Sequence, residues 1–355
     1  MTKTIQTAVV GVTGYAGAEL ARLLLHHPRL KGRPPVFAGR VDAKDQARGG
    51  VPLTEIHPQL ADNNGSAELK LEPFSWELLA ERSAEVLFLA TPHEQSREWV
   101  PEALKRGLRV IDLSAAWRLT EPANRAVYAF ADEATELAAS TQARAVYGMP
   151  ELHRKRIASA QLVANPGCYA TSIILALKPL VAAGLVDLEH GIVADAKSGV
   201  SGAGKLPSAR THFMYAADNL SAYSVFAHRH TGEILEEIGV SGCQIVFTPH
   251  LLPIPRGILS TIYVHFTKAQ THESVARVYH KFFAGSPMVR LYEKVLPQIQ
   301  YSVRTNYADI GFQLDAGGKR GVIISCLDNL LKGAASQAVQ NLNVMQGWPE
   351  SEGLA

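Results

Sequence analysis

The chain has 355 residues, 47% of them hydrophobic, and 35 Lys and Arg residues oppose 33 Asp and Glu residues for a net charge of +2. This length predicts two domains, and the balanced charge without a run of one sign argues against a nucleic acid or an anionic membrane as partner. The three cysteines lack metal-ligand spacing and indicate a reducing compartment without disulfides or a metal site. No apolar stretch reaches the length of a membrane span and no signal-peptide core follows Met1, so we expect a cytoplasmic protein.

The amino-terminal part alternates strand-like and helix-like segments. "IQTAVVGVTGYAGAELARLLLHHP" predicts a buried strand, a glycine turn and an amphipathic helix that ends before Pro28. The short apolar runs "PPVFAGR", "AEVLFLATP" and "RVIDLS" follow, with helical segments such as "WVPEALKRG" between them. This alternation predicts an α/β fold with a doubly wound parallel sheet.

The first glycine turn is a G-x-x-G-x-x-G variant of the dinucleotide-binding fingerprint. Its glycines allow a tight turn and let the backbone approach a pyrophosphate at the helix N-terminus. We therefore predict that the cofactor contacts Gly11, Thr13, Gly14, Tyr15, Ala16 and Gly17.

The residues at the end of the second predicted strand indicate whether the cofactor is NAD or NADP. An NAD site places an acidic residue there for the ribose 2′-hydroxyl, whereas this chain has Gly39-Arg40. A guanidinium suits a 2′-phosphate, so Arg40 favours NADP, although the nearby Asp42 leaves NAD open.

The stretch "QLVANPGCYATSIILALKPL" places a cysteine at a strand-to-helix turn. Residues 162–163 read as the end of a strand, 165–167 as a sharp turn and 171–180 as a helix. Cys168 thus falls at or just before a helix N-terminus, where the helix dipole favours a thiolate. From this context alone, a nucleophile and a cysteine packed as a small hydrophobe are both open.

The carboxyl-terminal part has longer strand-like runs around fewer helices. "HGIVADAKSG", "QIVFTPHLLPIP", "ILSTIYVHFT" and "GVIISCLDN" predict an α+β domain with a mainly antiparallel sheet, in which Cys243 and Cys326 are structural strand residues. The segment "NLLKGAASQAVQNLNVMQGW" predicts one amphipathic helix.

Two further motifs carry candidate chemistry. "GVSGAGKL" satisfies G-x-x-x-x-G-K, but Leu206 stands where Ser or Thr is needed and Pro207 where a helix should run, so we favour a loop close to a ligand over an ATPase. "AHRHTGEILEEIG" contains two histidines before a helix. This pair has three interpretations: metal ligands, a general base oriented by a carboxylate, or a histidine pair on the surface. The general base is the most specific hypothesis of the three.

Several motifs, in the order in which they occur along the chain, resemble those of the N-acetyl-gamma-glutamyl-phosphate reductase family of arginine biosynthesis. They are "GVTGYAGAEL", "DLSAAWRL", "YGMPEL", "NPGCYATS", "KSGVSGAGK", "HRHTGEI", "FTPHLLPIPRGILSTIYV" and "DNLLKGAASQAVQNLN". The resemblance implies a fold similar to aspartate-semialdehyde and glyceraldehyde-3-phosphate dehydrogenases, with the C-terminal helix returning to the nucleotide domain. The expected domains are residues 1–167 with 327–355 for NADP, and 168–326 for catalysis and oligomerisation.

The resemblance also implies roles for individual residues. Cys168 would be the nucleophile and the His228–His230 segment the source of the base, with His228 as first choice. The implied substrate-binding residues are Ser114, Arg118, Lys205 and Glu233. The implied additional cofactor-binding residues are Gly199, Ser201, Gly202 and Asn329. Where the family usually reads "SADFRL", this chain has Ala116 and Trp117, which puts a role for the missing carboxylate in doubt.

The implied reaction is reduction of N-acetyl-5-glutamyl phosphate by NADPH through a Cys168 thioester, in a homodimer or homotetramer that needs no metal. A carrier-protein-linked aminoadipyl phosphate reductase and aspartate-semialdehyde dehydrogenase are the alternatives within the reductase class. A cysteine hydrolase or transferase without a nicotinamide, and a nucleotide-sensing protein without catalysis, are the alternatives outside it.

Overall fold

The computed structural model describes residues 4–47, 49–61 and 69–354. The strands are β1 (Thr7–Val10), β2 (Val36–Gly39), β3 (Val51–Pro52), β4 (Lys70–Pro73), β5 (Val86–Leu89), β6 (Arg109–Asp112), β7 (Ala145–Tyr147), β8 (Leu162–Ala164), β9 (Ile192–Gly199), β10 (Ser221–Ala222), β11 (Ile245–Leu252), β12 (Ile258–His265), β13 (Val289–Tyr292), β14 (Ala308–Leu314) and β15 (Arg320–Leu327). The helices are α1 (Tyr15–His26), α2 (Ala43–Ala47), α3 (Leu53–Ile56), α4 (Trp76–Glu81), α5 (His93–Lys105), α6 (Pro122–Arg125), α7 (Glu136–Gln142), α8 (Pro150–Ser159), α9 (Cys168–Ala182), α10 (Phe213–Ala216), α11 (Thr231–Ile238), α12 (His272–Phe282), α13 (Ile299–Ser302) and α14 (Ser336–Gln346).

The chain divides into two compact units. The first comprises Met1–Arg118, Ala131–Asn165 and Ala335–Ala355, and the second Leu119–Phe130 and Pro166–Ala334. These bounds differ from the predicted domains because 119–130, 166–167 and 327–334 belong to the second unit. The predicted domains also include residues 1–3, 48, 62–68 and 355, which lie outside the described residues.

A carboxylate on α11 holds the segment Leu119–Phe130 within the second unit. Glu236 accepts hydrogen bonds from the backbone N–H of Thr120 at 2.7 Å and from the side-chain amide of Asn124 at 2.8 Å. Gly232 allows the close approach, since a Cβ there would lie 2.9 Å from Cβ of Asn124. These contacts join residues far apart in sequence, which explains why the sequence placed 119–130 with the first domain.

The described part of the first unit contains an eight-stranded sheet in the order β3-β4-β2-β1-β5-β6-β8-β7. Its neighbouring strands are parallel except for β3 and β4. Strands β1 and β5 are buried on both faces, as expected for a parallel sheet covered by helices. The predicted α/β fold is confirmed.

The last helix belongs to the first unit, where α14 packs against α1 and α8. His27, directly after α1, is hydrogen-bonded through Nε2 to Oδ1 of Asn343 at 3.0 Å. The prediction of one amphipathic helix was wrong, because residues 331–335 form a π-helical turn and residues 336–345 are buried all round. Gln337 and Asn341 are polar yet buried, since both donate hydrogen bonds to the backbone carbonyl of Gly148.

The described part of the second unit contains a seven-stranded sheet in the order β10-β11-β9-β12-β15-β14-β13. Strand β9 is parallel to β11, and β13 is parallel to β14, whereas the other neighbouring pairs are antiparallel. Helix α9 packs on β12 and β15. The sheet is therefore mainly antiparallel, as predicted.

Of the two cysteines predicted as strand residues, only one lies in a strand. Cys326 is buried in β15, and burial, with Asp309 nearby, raises the pKa of its thiol to about 12. Cys243 is exposed in the turn before β11, so the strand prediction for it was wrong. A search of the described residues finds no helix long and apolar enough to cross a membrane.

Candidate active site

Helix α9 begins at Cys168 itself, three residues before the predicted start. Gly167 precedes it in an extended conformation, with φ −75° and ψ 147°. The first four N–H groups of a helix have no intrahelical partner and carry the positive end of the dipole, so this position favours a thiolate. The residue is partly exposed, which leaves its side chain accessible to a reactant.

A cavity of about 530 Å³ opens over Cys168 within the second unit. Its size suits a small-molecule ligand. Its walls are formed by Cys168, Tyr169, Ser198, Gly199, Gly202, Ala203, Ser208, Ala209, Arg210, Tyr223, Ser224, Ala227, His228, Arg229, His230 and Leu251. The first residue of α9 and the segment preceding α11 thus contribute the two candidate catalytic groups to one cavity.

His230 lies against the residue that precedes the cysteine. A Cβ built on Gly167 would be 2.4 Å from Nε2 of His230, so only glycine leaves room for the ring. Glu233, fully buried on α11, accepts a hydrogen bond from the N–H of Gly167 at 2.9 Å, and its other oxygen is 4.0 Å from Nε2 of His230. This acid joins the turn before Cys168 to the imidazole, an arrangement that orients a general base.

His228 is held as a neutral imidazole. Its Nδ1 accepts a hydrogen bond from the N–H of His230 at 3.1 Å, which places its proton on Nε2, 3.4 Å from the hydroxyl of Tyr223. Burial lowers the pKa of His228 to about 3, and the neighbouring His230 and Arg229 act in the same direction. These contacts favour His230 over His228 as the group that exchanges a proton near Cys168.

Three cavity residues, Tyr169, Arg210 and Tyr223, were given no role by the sequence analysis. Arg210 lies with its guanidinium carbon 5.7 Å from the ring centre of Tyr223, and burial raises the pKa of that phenol to about 12. Tyr169 donates a hydrogen bond to the carbonyl of His250 at 2.6 Å, and burial raises the pKa of its hydroxyl. With Arg229, Arg210 gives the cavity two cations, which suit an anionic ligand.

The predicted glycine loop follows β9 as a short 3₁₀ turn, Val200–Ala203. Asn329 accepts a hydrogen bond from the N–H of Gly257 at 2.8 Å and donates one to the hydroxyl of Ser201 at 2.9 Å. Gly199 and Gly202 line the cavity, whereas Lys205 is exposed and does not. The structure therefore joins the predicted cofactor residues 199, 201, 202 and 329 and leaves the predicted substrate residue Lys205 apart.

The amino-terminal glycine turn packs so closely against neighbouring backbone that two of its positions admit only glycine. Gly11 has φ +95° and a Cβ there would be 2.3 Å from the carbonyl oxygen of Ala90, while a Cβ on Gly17 would be 2.2 Å from the carbonyl oxygen of Gly11. Helix α1 begins directly after Gly14. The predicted cofactor residues Thr13, Tyr15 and Ala16 lie in the turn and the first turn of α1. This cradle fits the pyrophosphate of a dinucleotide.

His57, which follows α3, contacts this turn and was missed by sequence reasoning. Its buried ring lies with Nε2 2.8 Å from the carbonyl oxygen of Val12. A carbonyl only accepts, so the ring donates and braces the glycine turn.

Arg40 follows β2 directly and is exposed. The competing acid Asp42 accepts a hydrogen bond from the N–H of Asp45 at 2.9 Å, at the start of α2. Asp42 is thus engaged in a local turn, whereas Arg40 is exposed at the end of the strand.

Ser114 and Arg118 lie in the loop after β6 in the first unit. Ser114 is buried and donates its hydroxyl proton to Asp112 at 2.7 Å, and Arg118 donates to the carbonyl of Leu113 at 2.8 Å. Burial raises the pKa of Asp112, while hydrogen bonds from Ser96 and Ser114 oppose the rise. These bonds shape the loop that carries Arg118.

The family departure at Ala116 and Trp117 falls in the core of the first unit, with both residues 1% exposed. The guanidinium carbon of Arg97 lies 4.4 Å from the ring centre of Trp117, and its Nε binds Asp132 at 2.8 Å. Ala116 and Trp117, which stand where the family usually has Asp-Phe, are therefore packed in the core of the first unit.

Within 4–47, 49–61 and 69–354, no group of three or more His, Cys, Asp or Glu side chains is placed to hold a metal ion.

Comparison with protein families places both parts of the chain in one class of oxidoreductase. Residues 6–160 match the semialdehyde dehydrogenase NAD-binding domain, and residues 168–329 match the semialdehyde dehydrogenase dimerisation domain. An aspartate semialdehyde dehydrogenase II from Vibrio cholerae, complexed with ASA, has a TM-score of 0.68 at 17% identity over 97% of this chain and 98% of that one. The structure of aspartate semialdehyde dehydrogenase with NADP from Candida albicans has a TM-score of 0.68 at 13% identity, over 98% of this chain and 99% of that one. These two likenesses show the fold.

Relatives that match over their full length identify a more specific family within this class. The N-acetyl-gamma-glutamyl-phosphate reductase of Pelotomaculum thermopropionicum is 41% identical over 99% of this chain and 98% of its own length. Those of Desulfotalea psychrophila, 42% identical over 99% and 98%, and Methanocaldococcus jannaschii, 39% identical over 98% and 97%, are similar. The chain belongs to the semialdehyde dehydrogenase family and, within it, to the N-acetyl-gamma-glutamyl-phosphate reductases.

Proposed function

We propose that this chain reduces N-acetyl-5-glutamyl phosphate to N-acetyl-L-glutamate 5-semialdehyde and phosphate, as a step of arginine biosynthesis. The observation that carries the proposal is the cavity that holds Cys168 at the start of α9 together with His230 and two arginines. A nucleophile, a proton carrier and cations are the groups that acyl transfer from an anionic acyl phosphate requires.

Cys168 acts first. Its thiolate attacks the acyl carbon, the bond from that carbon to the phosphate oxygen breaks, and phosphate leaves with the bonding pair, so that a thioester remains. NADPH, when bound, supplies the hydride that reduces this thioester. His230 exchanges the proton at the oxygen of the resulting hemithioacetal, and rupture of the carbon–sulfur bond releases the aldehyde and restores the thiolate.

We propose NADP as the cofactor, held by Gly11, Gly14 and Gly17 in the first unit. The exposed Arg40 after β2 supports this choice, together with the engagement of Asp42 in its own turn. Cofactor roles for Gly199, Ser201, Gly202 and Asn329, and substrate roles for Ser114 and Arg118, remain part of the proposal. Lys205 is a weaker candidate for substrate binding because it lies outside the cavity lining.

We further propose a homodimer or homotetramer. The match of residues 168–329 to a dimerisation domain supports self-association. Sedimentation equilibrium of the purified protein would give the number of copies, and a mass of one chain at micromolar concentration would contradict this part of the proposal.

The substrate is tested most simply in reverse. With NADP and phosphate, the enzyme should oxidise N-acetylglutamate semialdehyde at least about a hundredfold more efficiently than aspartate semialdehyde, because an acetylated amine and a free ammonium need different surroundings. Comparable rates, or activity only with a carrier-linked semialdehyde, would overturn the substrate assignment. NADP reduction in that assay also separates this function from a cysteine hydrolase and from a nucleotide sensor.

A further inference from the structure

Gly333 lies directly against the candidate nucleophile. A Cβ built on Gly333 would be 2.7 Å from Cβ of Cys168 and 3.2 Å from its Cα. Gly333 is not among the residues with positive φ, so the requirement for glycine at this position is one of space and not of backbone conformation. It lies in the π-helical turn Leu331–Ala335, a form of helix that occurs often at functional sites.

The turn that carries Gly333 is held by one buried acid. The backbone carbonyl of Asp328 accepts the N–H of Gly333 at 2.9 Å, and its Oδ1 accepts the N–H of Leu330 at 2.8 Å. Its Oδ2 accepts the N–H of Arg304 at 2.8 Å and lies 3.6 Å from a guanidinium nitrogen of Arg256. Asp328 is fully buried, and bonds of this kind to an ionised group are among the strongest hydrogen bonds in proteins.

The same turn also contacts the loop after β9, which contributes Gly199 and Gly202 to the cavity wall. Asn329 accepts a hydrogen bond from the N–H of Gly257 and donates one to the hydroxyl of Ser201, and a Cβ on Gly202 would lie 3.7 Å from Nδ2 of Asn329. Residues 328–333, here called the Asp328–Gly333 turn, therefore contact both Cys168 and the loop after β9.

We propose that Gly333 is a positioning residue: the Asp328–Gly333 turn fixes the sulfur of Cys168 at the N-terminus of α9, facing the loop after β9. The proposal rests on the proposed function of Cys168 as nucleophile. A side chain at 333 displaces the start of α9, so the thiol loses its alignment with the backbone N–H groups and with the acyl carbon. Misplacement by about 1 Å can cost about a hundredfold in rate.

The test compares Gly333→Ala with Gly311→Ala. Gly311 lies in β14 of the same unit and lacks a positive φ, and a Cβ there would be 2.7 Å from Cδ of Pro297. The two variants thus introduce an equally close contact, but only one of them at Cys168. We expect Gly333→Ala to lower kcat about a hundredfold with KM and the Kd for NADP nearly unchanged, and Gly311→Ala to lower Tm with little change in kcat.

A second readout does not depend on turnover. The rate at which iodoacetamide modifies Cys168, followed by peptide mass spectrometry, should fall about tenfold in Gly333→Ala and stay near the wild-type rate in Gly311→Ala. Equal rates and equal kcat in the two variants would overturn the proposal. If wild-type protein shows no reductase activity while the two alkylation rates still differ, the proposed function fails and the positioning role stands.

If the Gly333→Ala variant does not fold, the Asp328→Asn variant tests the same proposal. The amide retains an oxygen for Leu330 but cannot accept the N–H of Arg304 and loses its charge beside Arg256, so the turn loosens without a clash. We expect kcat to fall about tenfold and the alkylation of Cys168 to slow. A folded Asp328→Asn variant with wild-type values of both would overturn the proposal.

Discussion

The carboxylate of Glu233 accepts a hydrogen bond from the backbone N–H of Gly167 at 2.9 Å. Its second oxygen lies 4.0 Å from Nε2 of His230, so one buried acid faces both the turn before Cys168 and the imidazole. Glu233→Gln keeps an oxygen for Gly167 but turns an uncharged amide toward a ring that must gain a proton. We expect kcat to fall by roughly a hundredfold with the fold intact.

Glu236→Gln is the matched control, since it removes a carboxylate from the same helix. Glu236 binds Thr120 and Asn124 and does not line the cavity, so its loss should lower Tm and leave kcat near the wild-type value. Equal losses of kcat in the two variants would show that Glu233 acts only through the stability of α11.

The two histidines should differ when each is changed to Asn. His230 lies against Gly167, whereas Nδ1 of His228 is engaged by the backbone N–H of His230. His230→Asn should lower kcat by roughly a hundredfold or more, the range for a lost general acid or base, and His228→Asn should cost clearly less. Steady-state kinetics at saturating substrate decides between them, and a severe loss in His228→Asn alone would reverse the assignment.

The same His228 should make the folded state sensitive to acid. Its pKa is lowered from 6.5 to about 3 by burial, so between those pH values the unfolded chain binds a proton that the native state does not. The free energy of unfolding therefore falls as the pH drops through this window, and His228→Asn should reduce the fall. Urea unfolding at a series of pH values measures this, with the exposed His26→Asn as control. An unchanged slope in His228→Asn would contradict the prediction.

Cofactor preference should follow Arg40. Arg40→Asp removes a cation from the end of β2 and supplies an acceptor for a 2′-hydroxyl, so the ratio of kcat/KM with NADPH to that with NADH should fall by at least about tenfold. Arg33→Asp makes the same charge change on the loop before β2 and should leave the ratio alone. A constant ratio in Arg40→Asp would show that another group recognises the 2′-phosphate.

Local signals predicted much of this architecture. The glycine turn of residues 11–17 and the start of α9 near Cys168 could be read from the sequence because strand, turn and helix are contiguous in each. The alternation of short apolar runs with helices likewise gave the parallel sheet, since burial on both faces imposes that pattern.

Contacts between distant residues could not be read in this way. The approach of His230 to Gly167, and that of Gly333 to Cys168, depend on tertiary packing that leaves no periodic pattern. The buried Asn341 of α14 looked like a surface residue because its partner, the carbonyl of Gly148, is supplied from elsewhere in the chain. Arg210 lies in a polar stretch without a motif, and only the cavity reveals it.

The central claim is that Cys168 carries the acyl group, and intact-protein mass spectrometry tests it directly. Protein mixed with N-acetyl-5-glutamyl phosphate in the absence of NADPH should release phosphate and gain one N-acetylglutamyl group, which peptide mapping places on Cys168 and hydroxylamine removes. Cys168→Ser should gain none at neutral pH, because an alcohol is far less ionised than a thiol there, while Cys243→Ala should behave as the wild type. Reductase turnover by Cys168→Ser, or an acyl group found on another residue of an active enzyme, would contradict the account.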